Sequence, residues 1–291
     1  MDRREWLAER RAAVIAAYDA EAAAYDEHEY PSDMQREWVA RALRLIPPGG
    51  LVLDAPCGTG KYFPLVAAAG HRVVGVDQSA GMLARARARG IALSLGHTAL
   101  QDLSYAGEFD AVITVDAMEK VPPEDWPAVL ANLHRAARPD GVIYLTVEEV
   151  GQSEIDQAFE SLSARGLPVA RGEIVEGDTA GYHYYPGRDR VAGWLAREGL
   201  TIADEGFRQE DGWATATSCC ARESRDTAGQ ARTVPRCSKV MARCRAAALR
   251  SSGISAGPPS PAELMPACAA SSTTEPTRMA SSGVRWKTST P

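Results

Sequence analysis

Apolar positions follow helical spacing at the start of the chain and then give way to short apolar runs set between polar turns. The stretch from Arg4 to about Tyr25, rich in Ala and charged residues, predicts a helix. Pro31 and Ser32 supply a break and an N-cap for a second helix, about Asp33 to Leu45, and Pro47, Pro48, Gly49 and Gly50 end it. From Leu51 the pattern alternates. Leu51 to Leu53 predicts a strand, with a turn from Asp54 to Gly60 and a helix from about Lys61 to Ala69 closed by Gly70. His71 to Val76 predicts a second strand, Ser79 to Arg89 a helix, and Ile91 to Leu95 a third strand. Phe109 to Val115 reads as a fourth strand, Pro123 to Ala137 as a helix, and a Pro139-Asp-Gly141 turn leads into a fifth strand, Val142 to Val147. Helices over Glu154–Ala164 and Arg188–Glu198 and a sixth strand, Leu200 to Phe207, complete the pattern, with a less regular segment from Gly181 to Pro186.

Strands alternating with helices imply a parallel sheet covered on both faces. The fold class is therefore α/β and doubly wound, with a ligand expected at the carboxyl ends of the central strands. Residues 1–50 form a helical lid and residues 51–213 the ligand-binding domain.

The remainder, 214–291, has a different character. Residues 222–291 carry 11 Lys/Arg against 4 Asp/Glu, while residues 1–221 carry 21 against 34. The same segment holds six Val, Ile, Leu or Phe and one aromatic residue, Trp286, too little to offset the entropy of ordering it. Two readings stand: a disordered tail, or a change of reading frame near Trp213. The codons for Ala214 to Ala221, read two bases later, can spell Tyr-Arg-His-Leu-Leu-Leu-Arg, an apolar run suited to a last strand.

The whole chain has a formal net charge of −6, which argues against a nucleic-acid partner. No apolar stretch is long enough to cross a membrane, and the start lacks a signal-peptide core, so a cytoplasmic location is expected. The six cysteines form no CxxC pair, which indicates neither a metal site nor a disulfide framework.

The candidate chemistry lies in Leu51-Val-Leu-Asp-Ala-Pro-Cys-Gly-Thr-Gly60 and Val73-Val-Gly-Val-Asp77. A strand, a glycine-rich turn and a helix start bring bare backbone close to a ligand at Gly58 and Gly60, and the helix N-terminus favours a carboxylate. Asp77, ending the second strand, is placed to accept hydrogen bonds from a ribose diol, and Asp54 to meet an ammonium group. A dinucleotide G-x-G-x-x-G fingerprint fails at Phe63, and a phosphate-binding loop fails at Ala55 and Tyr62.

The D-A-x-C-G-T-G pattern with its later acid resembles the class I S-adenosylmethionine-dependent methyltransferases, a Rossmann-like family acting here on a small molecule. The resemblance runs through Phe109–Asp116 and Leu130–Gly141 and covers about residues 15–210. It implies S-adenosyl-L-methionine as cofactor, with Asp54, Gly58 and Gly60 around the methionine part, Asp77 on the ribose, and Ala55 and Cys57 as further cofactor-binding residues. Gln78 and Met82 would border ribose and adenine, and Asp116 and Ala117 the sulfonium. The chain departs from the pattern where an acid is expected shortly before Leu103-Ser-Tyr105. Ala99 stands there, so Leu100 and Gln101 would supply adenine contacts, with Asp102 a further candidate. Tyr25, in a Tyr-Asp element of the lid, would cover the cofactor or pack between helices.

Methyl transfer is an in-line displacement that depends on orientation, to which a general base adds only about 10²–10⁴-fold. Candidates for that base are His183, Glu119 and Glu148, with Glu149 also near a strand end; Lys61 either pairs with the methionine carboxylate or faces solvent. Two other readings remain open: a protein that binds the cofactor without transferase activity, and an NAD-dependent oxidoreductase. The acceptor and the oligomeric state are not fixed by the sequence.

Overall fold

The computed structural model describes residues 1–28, 31–177, 181–210, 213–222, 224–225 and 231–232. Three helices come first: α1 (Arg3–Glu21), α2 (Tyr25–His28) and α3 (Asp33–Leu43). Asp2 and Ser32 each cap the following helix through a reciprocal box with Glu5 and Gln35. Next come β1 (Leu51–Asp54), α4 (Phe63–Ala68), β2 (Arg72–Asp77), α5 (Ala80–Ala88), β3 (Ser94–His97), β4 (Phe109–Thr114), α6 (Trp126–Ala136) and β5 (Ala137–Glu149). The chain continues through α7 (Gln152–Ala164), β6 (Glu173–Glu176), β7 (Gly181–Tyr184), α8 (Arg188–Arg197), β8 (Leu200–Glu210) and β9 (Trp213–Arg222).

The main sheet has the order β3-β2-β1-β4-β5-β9-β8. The first five strands pair in parallel, and β9 runs antiparallel to both β5 and β8. Successive side chains of the central strands enter opposite cores. Val52, Val73, Ala111, Ile113, Val142 and Tyr144 pack with α3 and α4 on one face. Leu53, Val74, Val112, Ile143 and Leu145 pack with α1, α6 and α8 on the other. With both faces buried, most central-strand positions are apolar, which is why the sequence shows apolar runs there.

Four expectations change in the structure. Helix α1 stops at Glu21, because the chain must turn for Asp26, on α2, to meet the glycine loop. Strand β3 starts at Ser94, not Ile91; Ile91 and Ala92 instead pack against the core beneath α5. The Pro139-Asp-Gly141 turn is a bulge inside β5, where Phe109 faces Ala137 but Ala111 already faces Val142. Arg138 pins that bulge, donating to Asp110 at 2.5 Å. Finally, the irregular segment before α8 holds the antiparallel hairpin β6–β7. The two readings of the terminus fall mostly outside the described residues; the backbone of 213–222 forms β9, between β5 and the edge strand β8.

Arg3 ties α1 to that hairpin. Its guanidinium donates to Glu173 Oε1 at 2.6 Å and Oε2 at 2.7 Å, to both oxygens of Glu124, and to Pro168 O at 2.8 Å. Glu173 is wholly buried and also accepts from Tyr182 Oη and Ala170 N. Removing the guanidinium strands a buried carboxylate. Arg3→Ala should therefore cost about 3 kcal/mol in urea unfolding, while Glu124→Ala, which leaves Glu173 paired, should cost less than about 1 kcal/mol. Equal losses would show that the buried carboxylate does not set the cost.

Candidate active site

A cavity of about 960 Å³, counting its open mouth, lies across the carboxyl ends of the parallel strands. Its floor is the loop after β1, the turn after β2, the segment after β3 and the loop after β4; Arg11, Val14, Tyr18 and Tyr25 of the lid form its roof.

Asp77 organises the floor. Its Oδ2 accepts from Gly58 N and its Oδ1 from Ser79 N, each at 2.8 Å. Burial raises its pKa, partly offset by these backbone donors. Gly58 has φ +52°, and a Cβ placed there would meet nothing within 4 Å, so its bare face opens onto the cavity. Gly60 has a different reason to be glycine. At φ +76° its Cβ would lie 2.5 Å from the Phe63 ring, and the residue does not border the cavity. The expected helix from Lys61 is also shorter: α4 begins at Phe63 and has six residues, so no helix N-terminus sits at the glycine loop.

Asp54 is buried behind the loop and does not border the cavity, nor does Ala55. Its Oδ2 has no hydrogen-bond partner among the described residues. Burial and the neighbouring Asp77 push its pKa well up, against the pull of Lys61. Lys61 does not face solvent. Its Nζ lies 3.7 Å from Asp116 Oδ2 and 5.7 Å from the ring centres of both Tyr25 and Tyr62. Tyr62 Oη, buried at the cavity wall, is likewise without a partner among the described residues. Asp116 has φ +49° and accepts from Gln35 Nε2 at 2.6 Å, while its N–H donates to Thr146.

Two aspartates fasten the lid to the floor. Asp19 Oδ1 accepts from Ser79 Oγ at 2.5 Å and Gly81 N at 2.8 Å. Asp26 accepts from Thr59 Oγ1 at 2.5 Å and from Arg89 at 2.7 Å. These partners are far apart in sequence, and no local spacing signals them.

Tyr25, Cys57, Gly58, Asp77, Gln78, Met82, Leu100, Gln101, Asp116 and Ala117 all border the cavity. The three candidate bases do not; they gather behind a residue that does, Lys120. Lys120 Nζ donates to His183 Nε2 at 2.6 Å and reaches Tyr182 O at 3.5 Å. His183 Nδ1 faces Gly181 O at 3.1 Å, so the ring donates on one side and accepts on the other. Burial and the Lys120 ammonium hold His183 down at about 4. Burial lowers Lys120 too, against the attraction of Glu119, Glu148 and Glu176. Burial raises Glu119, and burial with the charges of Glu119 and Asp116 pushes Glu148 up to about 8. Lys120 carried no motif; only its neighbour Glu119 pointed to this place.

A family model described as a methyltransferase domain matches residues 52–141, from β1 into the β5 bulge. Residues 52–141, with the strand order and glycine loop described above, are thus a methyltransferase domain. It is 33% identical over 155 residues to the malonyl-[acyl-carrier protein] O-methyltransferase of Serratia marcescens, covering 52% of this chain and 58% of that one. It is 31% identical to the ubiquinone biosynthesis O-methyltransferase of Aromatoleum aromaticum, covering 39% of this chain and 49% of the relative. The chain thus spans about half the length of these relatives. The fold is that of the Burkholderia thailandensis 1,6-didemethyltoxoflavin-N1-methyltransferase, solved with its substrate and S-adenosylhomocysteine (TM-score 0.57, 18% identity, 76% of this chain and 91% of that one). Among the described residues, no helix of this methyltransferase-fold chain is long and apolar enough to cross a membrane.

The raised Glu148 predicts a pH effect on stability. Its folded pKa lies above the ordinary 4.5, so its contribution is whole below about pH 4.5, declines as pH rises, and is lost above about pH 8. Glu148→Gln should hold its urea midpoint more nearly constant than the parent between pH 5 and 8. Parallel curves for the two proteins would contradict the shift.

Proposed function

We propose that this chain binds S-adenosyl-L-methionine in the cavity and transfers its methyl group to a small-molecule or carrier-linked acceptor. The observation that carries the reading is the mismatch of polar groups around the glycine loop. Asp54 Oδ2 lacks a donor and Tyr62 Oη lacks a partner among the described residues, with the Lys61 ammonium beside them. An amino-acid ligand supplies a carboxylate for Lys61 and Tyr62 at the cavity wall, and its ammonium would lie on the side of the loop that covers Asp54. Asp77, with each oxygen holding one backbone donor, keeps a lone pair on each for a ribose diol.

The cofactor supplies a methyl group on a sulfonium, and the protein's task is to align the acceptor. Such alignment accounts for about 7–11 kcal/mol of a barrier. Both nitrogens of His183 are engaged, so it acts through Lys120, holding the ammonium at the cavity wall, and does not take the acceptor's proton itself. Glu119 and Glu148, where ionised, pull that ammonium toward its charged form against the effect of burial. The malonyl-carrier and ubiquinone-pathway names of the relatives support acceptors that react through oxygen.

Calorimetry with S-adenosylhomocysteine should show binding to the whole chain, no heat with NAD, and at least a tenfold weaker affinity for Asp77→Ala, or about 1.4 kcal/mol. Undiminished affinity in that variant would refute the site. With an acceptor found from a panel of acids, phenols and amines using labelled cofactor, His183→Ala should lower turnover while S-adenosylhomocysteine affinity stays within about twofold. His183→Gln, whose amide oxygen still accepts from Lys120, should recover most of the rate. Full activity of the alanine variant would remove His183 from the mechanism.

A further inference from the structure

The strand order places the ends of β3, β2, β1 and β4 side by side along the cavity. If the amino acid lies at β1 and β4 and the ribose at Asp77 on β2, the base falls beyond Asp77, against the 3-10 turn Leu100–Asp102 that follows β3. Helix α6 immobilises that turn. Asn132 Nδ2 donates to Leu100 O at 3.0 Å and Gln101 O at 2.8 Å. Asp125, the residue before α6, accepts from Gln101 Nε2 at 2.9 Å, and the same oxygen accepts from Arg11 Nη2 at 2.5 Å.

An ionised carboxylate only accepts hydrogen bonds, so the Gln101 amide nitrogen must face Asp125. The amide oxygen then faces the other way, and Gln101 borders the cavity. Met82 and Leu100, both buried, give this end apolar walls for a planar ring. Asp125 makes no capping bond to α6, so its carboxylate serves Gln101 and Arg11 rather than the helix.

Resting on the reading of the cavity as an adenosyl site, we propose that Asp125 is the positioning residue for base recognition, fixing Gln101 so that its Oε1 accepts from the 6-amino group of adenine. A base with a 6-oxo group presents an acceptor to that oxygen and is rejected. Without Asp125 the amide is free to rotate and offer its nitrogen instead, so the discrimination is lost even where affinity survives.

The test is calorimetry on the whole chain with S-adenosylhomocysteine and S-inosylhomocysteine. The parent protein should prefer the adenine ligand by about 10–100-fold. Asp125→Ala should bring the two affinities to within about threefold, whereas Asp125→Asn, whose Oδ1 still accepts from Gln101, should keep most of the preference. Gln101→Met, which removes the amide itself, should abolish the preference independently of how well the Asp125 variants fold. Equal binding by the parent protein, or an unchanged ratio in Asp125→Ala and Gln101→Met, would overturn the inference while leaving the adenosyl site standing. Failure of S-adenosylhomocysteine to bind the parent at all would reject the underlying reading and this inference with it.

Discussion

A single buried carboxylate holds the floor of the cavity together. Gly58 and Ser79 belong to different loops, one following β1 and the other preceding α5, and both aim a backbone N–H at Asp77. Neither donor has a helix or strand partner for that bond, so leaving it unmade inside the protein would cost about 1–3 kcal/mol. The lid is attached to the same two loops. Asp19 grips Ser79 and Gly81 on one side, and Asp26 grips Thr59 on the other. Roof and floor are therefore built on one carboxylate, and the geometry of the cavity follows from it.

The site divides into two electrostatic halves. Around the glycine loop, Tyr62 presents at the cavity wall a polar atom without a partner among the described residues, an arrangement that is costly unless a ligand completes it. Around the loop after β4, the polar groups find partners within the protein, with Lys120 set among Glu119, Glu148 and Glu176 and resting on a neutral His183. In the proposed reaction the first half recognises the cofactor by the groups it lacks, and the second holds a cation steady at the cavity wall. The hairpin β6–β7 joins these functions to the lid, since it carries both His183 and the buried Glu173 that Arg3 clasps.

Much of the site was legible because its signals are local. Gly58, Asp77, Gln78 and Met82 lie within one strand-turn-helix repeat, where spacing reports position directly. The readings that changed were of another kind. Gly60 resembled a ligand-facing glycine, but its constraint is the Phe63 ring packed against it. Lys61 read as a helical residue open to either a ligand carboxylate or solvent, and Asp116, Tyr25 and Tyr62 surround it. Proline and glycine at 139–141 signal a turn equally well whether the chain leaves the sheet or bulges within it, and Arg138 on Asp110 decides for the bulge.

By itself, the sequence determined the order of strands and helices from β1 to β5, the position of the glycine loop, and the two acids at the tips of β1 and β2. Burial on both faces demands apolar runs, and a tight turn demands glycine, so those constraints are written in adjacent residues. Only the tertiary structure decided which charges meet: Asp26 with Arg89, Asp125 with Gln101 and Arg11, Lys120 with His183. These partners lie 24 to 114 positions apart in the chain. A charged side chain carries no local mark of its partner, because the attraction acts through space and is set by where the folded backbone places each group.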